Sequence, residues 1–431
     1  MELYKNTPNR RYFCQSMGSE QYQLITLPNG LRVVHQRVKG TQLVHAGFTI
    51  QAGSKNDGQN PGLAHCLEHM LFKGTTHRKT IHVLNHLEVV GGELNAYTTK
   101  EITTIYGTTQ SKHLSRLTDI LCDVVFRSTF PEGELEKEKK VIVDEINMYL
   151  DTPEENIFDE FQEKIFEGHP LAHNILGTEE SVNLISQADL RNFVNSHYRF
   201  DNMVFAVVGN VSIERVFLAL DRFLPKAQEL NSAGLISANR KFEPIPVFHE
   251  VKKTDFNQAY AILGSLAYEI DHPNRWKLLL VNNFFGGPVL NSRLNLAIRE
   301  KYGYTYNVES GYSAFEETGL FHCFVGSEPK YIERSVELIF KELKKLRTQS
   351  LGTLQLSRAK NQYAGQLILS NENRSGLMMH LGQSVLRKGK ANSIEHAIDS
   401  IRKVTVSDVL EVANELMAEE NFSRLYYVPQ D

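Results

Sequence analysis

Strand and helix signals alternate along almost the whole chain, and the same succession runs through it twice. In the first half, the turn Asn29-Gly30 opens a strand from Leu31 to Gln36, followed by strands from Val44 to Gln51 and from Glu101 to Tyr106. A helix from about Lys112 to Phe126 comes next, and the apolar run Met203 to Val208, stopped by Gly209-Asn210, reads as a buried strand. In the second half, a strand from Ala259 to Gly264 precedes a helix from about Asn274 to Phe285. Strand regions from Tyr304 to Ser310 and from Gly319 to Val325 then lead to a helix from Ile332 to Leu346. Leu117 and Val336, 219 residues apart, fall at matching places in two of these helices. Two similar α/β halves are the simplest layout for such a pattern. The division expected is an N-terminal arm (1–21), a first half (22–223), a linker (224–246) carrying Pro225, Pro244 and Pro246, and a second half (247–431).

Composition narrows the function classes. The chain has 431 residues, 41% of them hydrophobic, which is enough to build sizeable cores. Its net charge of −4 provides no basic field to hold nucleic acid or an anionic membrane. No apolar run approaches the ~18 to 20 residues of a bilayer span. The first 21 residues lack a secretory apolar core; Arg10-Arg11 hints at a transit segment, while Glu2 and Glu20 argue against one. Cys14, Cys66, Cys122 and Cys323 are scattered, with no CxxC pair, as in a reducing compartment, so a cytoplasmic location is expected.

The segment Asn60 to Gly74 carries the chemistry. Asn60 is the expected cap, Pro61 the first helical residue and Gly74 the stop. Leu63, Ala64, Cys66, Leu67, Met70, Leu71 and Phe72 make the helix apolar nearly all round, which marks it as buried. The polar residues in its middle are His65, Glu68 and His69. At ~100° per residue, His69 lies about 40° from His65 on one side and Glu68 about 60° on the other. Two neutral imidazoles one turn apart can grip a zinc ion, and the carboxylate between them can take a proton from water that the metal has acidified. The plain alternative, two core histidines bonded to neighbours, leaves the cost of burying all three polar groups unexplained.

A catalytic zinc needs a third protein ligand. The helix opened by Pro131 has a stripe of Leu135, Ile142 and Tyr149, with Glu138 and Glu145 sharing a neighbouring face. Glu134 and Glu136 read as a solvated charged face. Glu145 lies among Val141, Ile142, Val143 and Ile146, and spacing alone leaves it as either a ligand or a surface acid.

With these motifs the chain resembles the inverted-motif zinc peptidases of the pitrilysin, insulin-degrading-enzyme and mitochondrial-processing-peptidase family. That family has a third ligand, a Glu, at about the distance of Glu145, which is 76 residues after His69, and a second Glu at the place of Glu138, near the active site. The run Gly91 to Tyr106 resembles the family's edge strand, and His169-Pro170-Leu171 with Gly177-Thr178 resembles its loop after the ligand helix. The resemblance implies that Asn95 and Ala96 bind substrate backbone by strand addition. Arg299 and Tyr306, in the run Ser292 to Tyr306, resemble a pair that binds the substrate carbonyl and stabilises the oxyanion.

The implied fold is α+β, two α/β halves with mixed, largely antiparallel sheets, forming half of a clamshell. The implied function is a zinc-dependent endopeptidase with one zinc per chain on His65, His69 and Glu145, and Glu68 as base. Its substrates would be peptides or unfolded segments held as an added strand in a closed chamber. Because both residue sets occur in one chain, a homodimer is expected, with a heterodimer of related chains as the alternative. Gly286-Gly287 is shorter than the glycine-rich loop of the family's non-catalytic subunit. A structural or peptide-binding member without turnover is the rival reading.

Overall fold

The computed structural model describes residues 13–14, 22–226 and 242–430. Most of the expected arm and the middle of the expected linker lie outside the described residues. The chain forms two compact units.

The first unit is built on a seven-stranded sheet. Its strands are β1 (Phe13–Cys14), β2 (Gln23–Thr26), β3 (Arg32–Arg37), β4 (Leu43–Ile50), β5 (Glu93–Thr98), β6 (Thr103–Gln110) and β7 (Met203–Gly209), in the order β1-β2-β3-β7-β4-β6-β5. The β3–β7 pair is parallel and all the others are antiparallel. The expected strand starting at Glu101 begins instead at Thr103, because Thr99 to Ile102 make the turn of the β5–β6 hairpin, closed by a Thr99 N–H bond to Ile102 O at 2.8 Å.

The chain's helices in this half are α1 (Leu63–Met70), α2 (Thr80–Glu88), α3 (Leu114–Arg127), α4 (Glu132–Leu150), α5 (Pro153–Ile165), α6 (Glu179–Leu184), α7 (Gln187–His197) and α8 (Ile213–Phe223). The second half adds α9 (Arg275–Gly286), α10 (Ile332–Thr348), α11 (Thr353–Asn371), α12 (Arg374–Lys388), α13 (Ile394–Lys403) and α14 (Val406–Leu416). Every residue of β7 is buried because the sheet is covered on both faces. Phe205 packs at a tilt on Phe48, with ring centroids 4.7 Å apart, and Phe48 meets Phe126 of α3 edge to face. Val204, Ala206 and Val208, alternating to the other face, pack with Met378, Leu381 and Val385 of α12.

The second unit holds β8 (His249–Thr254), β9 (Ala259–Ala267), β10 (Asn307–Ala314), β11 (Gly319–Ser327) and β12 (Ser423–Pro429), in the order β10-β11-β9-β12-β8. Its β8–β12 pair is parallel and the rest are antiparallel. Strand for strand this is the order β5-β6-β4-β7-β3 of the first sheet, so the two halves share one topology. Ala259, Ala261 and Leu263 face a core with Leu278, Ile339 and Val412, while Tyr260 and Ile262 pack with Ile157, Phe161 and Ile165 of α5. The strand expected from Tyr304 begins at Asn307.

The linear division into 22–223 and 247–431 differs from the units observed. Among the described residues, the first unit draws on 13–14, 22–146, 173–226 and 370–393, and the second on 147–172, 242–369 and 394–430. Each sheet is therefore covered by one helix from the other half of the chain, α12 on the first and α5 on the second. An amphipathic pattern shows that a helix face is buried but not which sheet buries it.

Candidate metal and catalytic site

Helix α1 lies against β5, which is an edge strand of the first sheet among the described residues. It starts later than the sequence implies, at Leu63, after Gly62 at φ 90°. The side chain of Asn60 does not cap it. The buried Asp57 does, accepting from Gly62 N–H (2.7 Å) and Ala64 N–H (2.9 Å). Burial pushes the Asp57 carboxyl up to about 8, opposed by these amides and by Lys100. Gly62 has room for no side chain: a Cβ there would stand 2.5 Å from Leu176 O. Gly177, at φ 76°, is likewise pressed onto Pro61 O, to which Ser181 Oγ also donates at 2.7 Å. The Gly177-Thr178 loop thus backs the start of α1.

His65 is buried, and His69 and Glu68 are half-buried one turn along. Glu145 of α4 completes a cluster. Its Oε2 is 3.8 Å from His65 Nε2 and 3.6 Å from His69 Nε2, and the three donors lie within 4.8 Å of one another. A tetrahedral zinc with bonds of ~2.0 to 2.1 Å holds its ligand atoms roughly 3.4 Å apart, so this set needs only a small contraction. Burial, with help from His69, draws the His65 pKa down to about 3, which keeps its imidazole neutral and able to ligate. The residues present fit a zinc ion.

On α4, Leu135, Ile142 and Ile146 are buried, whereas Val141 is 48% exposed, so Glu145 has apolar neighbours on one side only. Glu138, buried, accepts from His69 Nδ1 at 3.2 Å and pairs with Lys73 Nζ at 2.6 Å. Glu136 stays on the solvated face. Glu68 accepts a hydrogen bond of 2.6 Å from Thr98 Oγ1. Burial raises the Glu68 carboxyl above the usual carboxylate range, and the Thr98 bond works against that. Asn95 is exposed and Ala96 half-buried on the edge strand β5, opposite Tyr106 and Ile105 of β6.

Residues 32–179 match the model of the insulinase domain of peptidase family M16, and residues 185–363 match that of the M16 inactive domain. An uncharacterized zinc protease of Bacillus subtilis, YmxG, is 31% identical over 401 residues, covering 92% of this chain and 95% of that one. This chain belongs to the M16 peptidase family. An uncharacterized zinc protease of Mycobacterium leprae is also 31% identical, over 91% of this chain and 88% of its own. The M16 fold is shared with the crystal structure of a protease from Helicobacter pylori, with TM-score 0.89, 20% identity, and coverage of 95% and 99%. The M16 inactive domain structure from Pseudomonas fluorescens gives TM-score 0.86 at 20% identity, covering 95% and 98%.

In the second unit α9, beside the edge strand β10, carries Leu278, Leu280, Val281 and Phe285 in its core and has no histidine at the places of His65 and His69. Arg299 and Tyr306 belong to this unit. Arg299 sits in a π-helical turn (Asn295–Glu300) with its Nε 3.9 Å from Glu300 Oε1, and Tyr306, just before β10, is 91% exposed. The structure adds three residues that sequence reasoning had not singled out: Asp57, Lys73 and Thr98. The parity of β5 could have revealed Thr98, since it shares a face with Ala96.

Proposed function

We propose that this M16 chain is a zinc-dependent endopeptidase that cleaves peptides or unfolded segments. The observation that carries the reading is the convergence of His65 Nε2, His69 Nε2 and Glu145 Oε2 beside Glu68, on a helix packed against an edge strand. His65, His69 and Glu145 would hold the zinc, which when bound would supply a Lewis acid able to make water nucleophilic near neutral pH and to polarise a carbonyl.

Glu68 takes the proton of the attacking water as its oxygen adds to the scissile carbonyl carbon, and returns that proton to the leaving amine as the C–N bond breaks. Asn95 and Ala96, on β5 at an edge of the sheet among the described residues, align an extended substrate through its main chain, an arrangement that would admit varied side chains. Glu138 holds His69 by its second nitrogen. The types of Arg299 and Tyr306 suit donation to the carbonyl oxygen. Both residue sets being present in one chain supports a homodimer enclosing the substrate, with Arg299 and Tyr306 facing the zinc set of a second copy. Free, buried Cys66, Cys122 and Cys323 fit a cytoplasmic setting.

The test is hydrolysis of a quenched fluorescent peptide library by wild type and Glu68→Gln, each with its zinc content measured. Cleavage by wild type alone, at equal zinc, supports the reading; equal cleavage by both, or none by either, overturns it. Restored activity on mixing Arg299→Ala with Glu68→Gln chains would support sites shared between copies. Failure to restore it despite proven subunit exchange counts against them.

A further inference from the structure

Glu68 carries the central role above, yet a half-buried carboxylate on a helix has several rotamers open to it. One neighbour restricts that choice. Thr98, the last residue of β5, donates its hydroxyl hydrogen to Glu68 Oε2 at 2.6 Å, a short charge-assisted bond. The hydroxyl has one hydrogen, and the other nearby oxygen, Thr103 Oγ1, is 3.4 Å away and spends its own hydrogen on Ala52 O at 2.9 Å. The Thr98 proton is thus committed to Glu68.

Thr98 is itself held firmly. Thr99 Oγ1 donates to Ile102 O at 3.1 Å and accepts from Ile102 N–H at 3.1 Å, which fixes the hairpin turn. From the opposite face of the sheet α12 secures the same hairpin: Gln383 Nε2 donates to Tyr97 Oη at 2.8 Å, and Arg387 pairs with the buried Glu101 at 3.0 Å. Lys55 pairs with the second oxygen of Glu101 at 3.2 Å.

We infer that Thr98 is the positioning residue for Glu68, orienting its carboxylate so that the unbonded oxygen faces the attacking water. The inference rests on the peptidase reading for its kinetic consequence, while the orientation itself can be observed without turnover. The strand that aligns the substrate would then also aim the base, so peptide docking and proton transfer share one rigid hairpin.

The experiment compares wild type, Thr98→Val, Thr98→Ala and Thr98→Ser at equal zinc content, with thermal melting to confirm folding. Crystal structures of each give the Glu68 side-chain conformation, and kinetics on a library peptide give kcat and KM. The expected result is a displaced or split Glu68 side chain in Thr98→Val and Thr98→Ala. Their kcat should fall ~10- to 100-fold with KM little changed, and Thr98→Ser should restore both readouts. An unmoved Glu68 in Thr98→Val and Thr98→Ala overturns the inference, as does a Thr98→Ser chain as impaired as Thr98→Val. Should wild type cleave nothing, the peptidase reading fails on its own, and the Glu68 conformation still decides the role of Thr98.

Discussion

Glu138 accepts a hydrogen bond from His69 Nδ1 at 3.2 Å, leaving His69 Nε2 to face Glu145. The bond fixes both the tautomer and the ring orientation of the imidazole proposed to bind the metal, and Lys73 at 2.6 Å holds the carboxylate in turn. Glu138→Gln is therefore expected to weaken zinc binding by ~10- to 100-fold while leaving the fold intact. Competition with a chromophoric chelator measures this directly; unchanged affinity would leave Glu138 as a plain salt-bridge partner.

Asp57 caps α1 through Gly62 and Ala64. Asp57→Ala leaves two buried amides without an acceptor and should cost about 1 to 2 kcal/mol in urea unfolding. Gly62 and Ala64 use different oxygens of Asp57, so Asp57→Asn keeps one acceptor and should recover at most about half of the loss. Equal losses in both variants would mean that a single accepting oxygen does not hold the start of the helix.

Gly177 is expected to resist any side chain. It combines φ 76° with a position pressed on Pro61 O, so Gly177→Ala strains the loop and pushes the start of α1. The expected cost is about 1 to 3 kcal/mol, with lowered zinc affinity as the second sign. A variant with wild-type melting temperature and wild-type zinc affinity would refute this coupling.

His322 of β11 packs on Phe158 of α5, with ring centroids 4.9 Å apart, and lies directly under Gly311. Its Nδ1 is shut from water with no hydrogen-bond partner among the described residues, and burial lowers its pKa to about 4. The unfolded chain takes up the proton near the usual 6.5 and the folded one does not. The stabilising contribution is hence present above 6.5 and is lost as pH falls toward 4. Between neutral pH and pH ~5 the loss should be about 1 to 2 kcal/mol, allowing for the partial exposure of the ring. His35, His45 and His197 shift the same way through burial, so the check is the difference from His322→Gln, whose acid limb should be shallower by that amount.

The sequence by itself determined the two-fold alternation of strands and helices, the edge character of the Asn95-Ala96 strand through resemblance, and the helical spacing of His65, Glu68 and His69. These are local properties: hydrophobic periodicity and the helical repeat write them into neighbouring residues. Glu145 was half legible, because seven-residue spacing put it on one helix face with Glu138 but left it either a ligand or a surface acid, and only the resemblance singled it out. The tertiary structure decided that Glu145 joins His65 and His69 and that Glu138 stands behind His69. It also decided that Asp57, not Asn60, caps α1, that Thr98 reaches Glu68, and that α5 and α12 cover sheets built by the opposite halves. The reason is common to all five. A side chain's type and period show what it must satisfy, a buried face or an unmet hydrogen bond, while the partner that satisfies it is chosen by chain-distant packing.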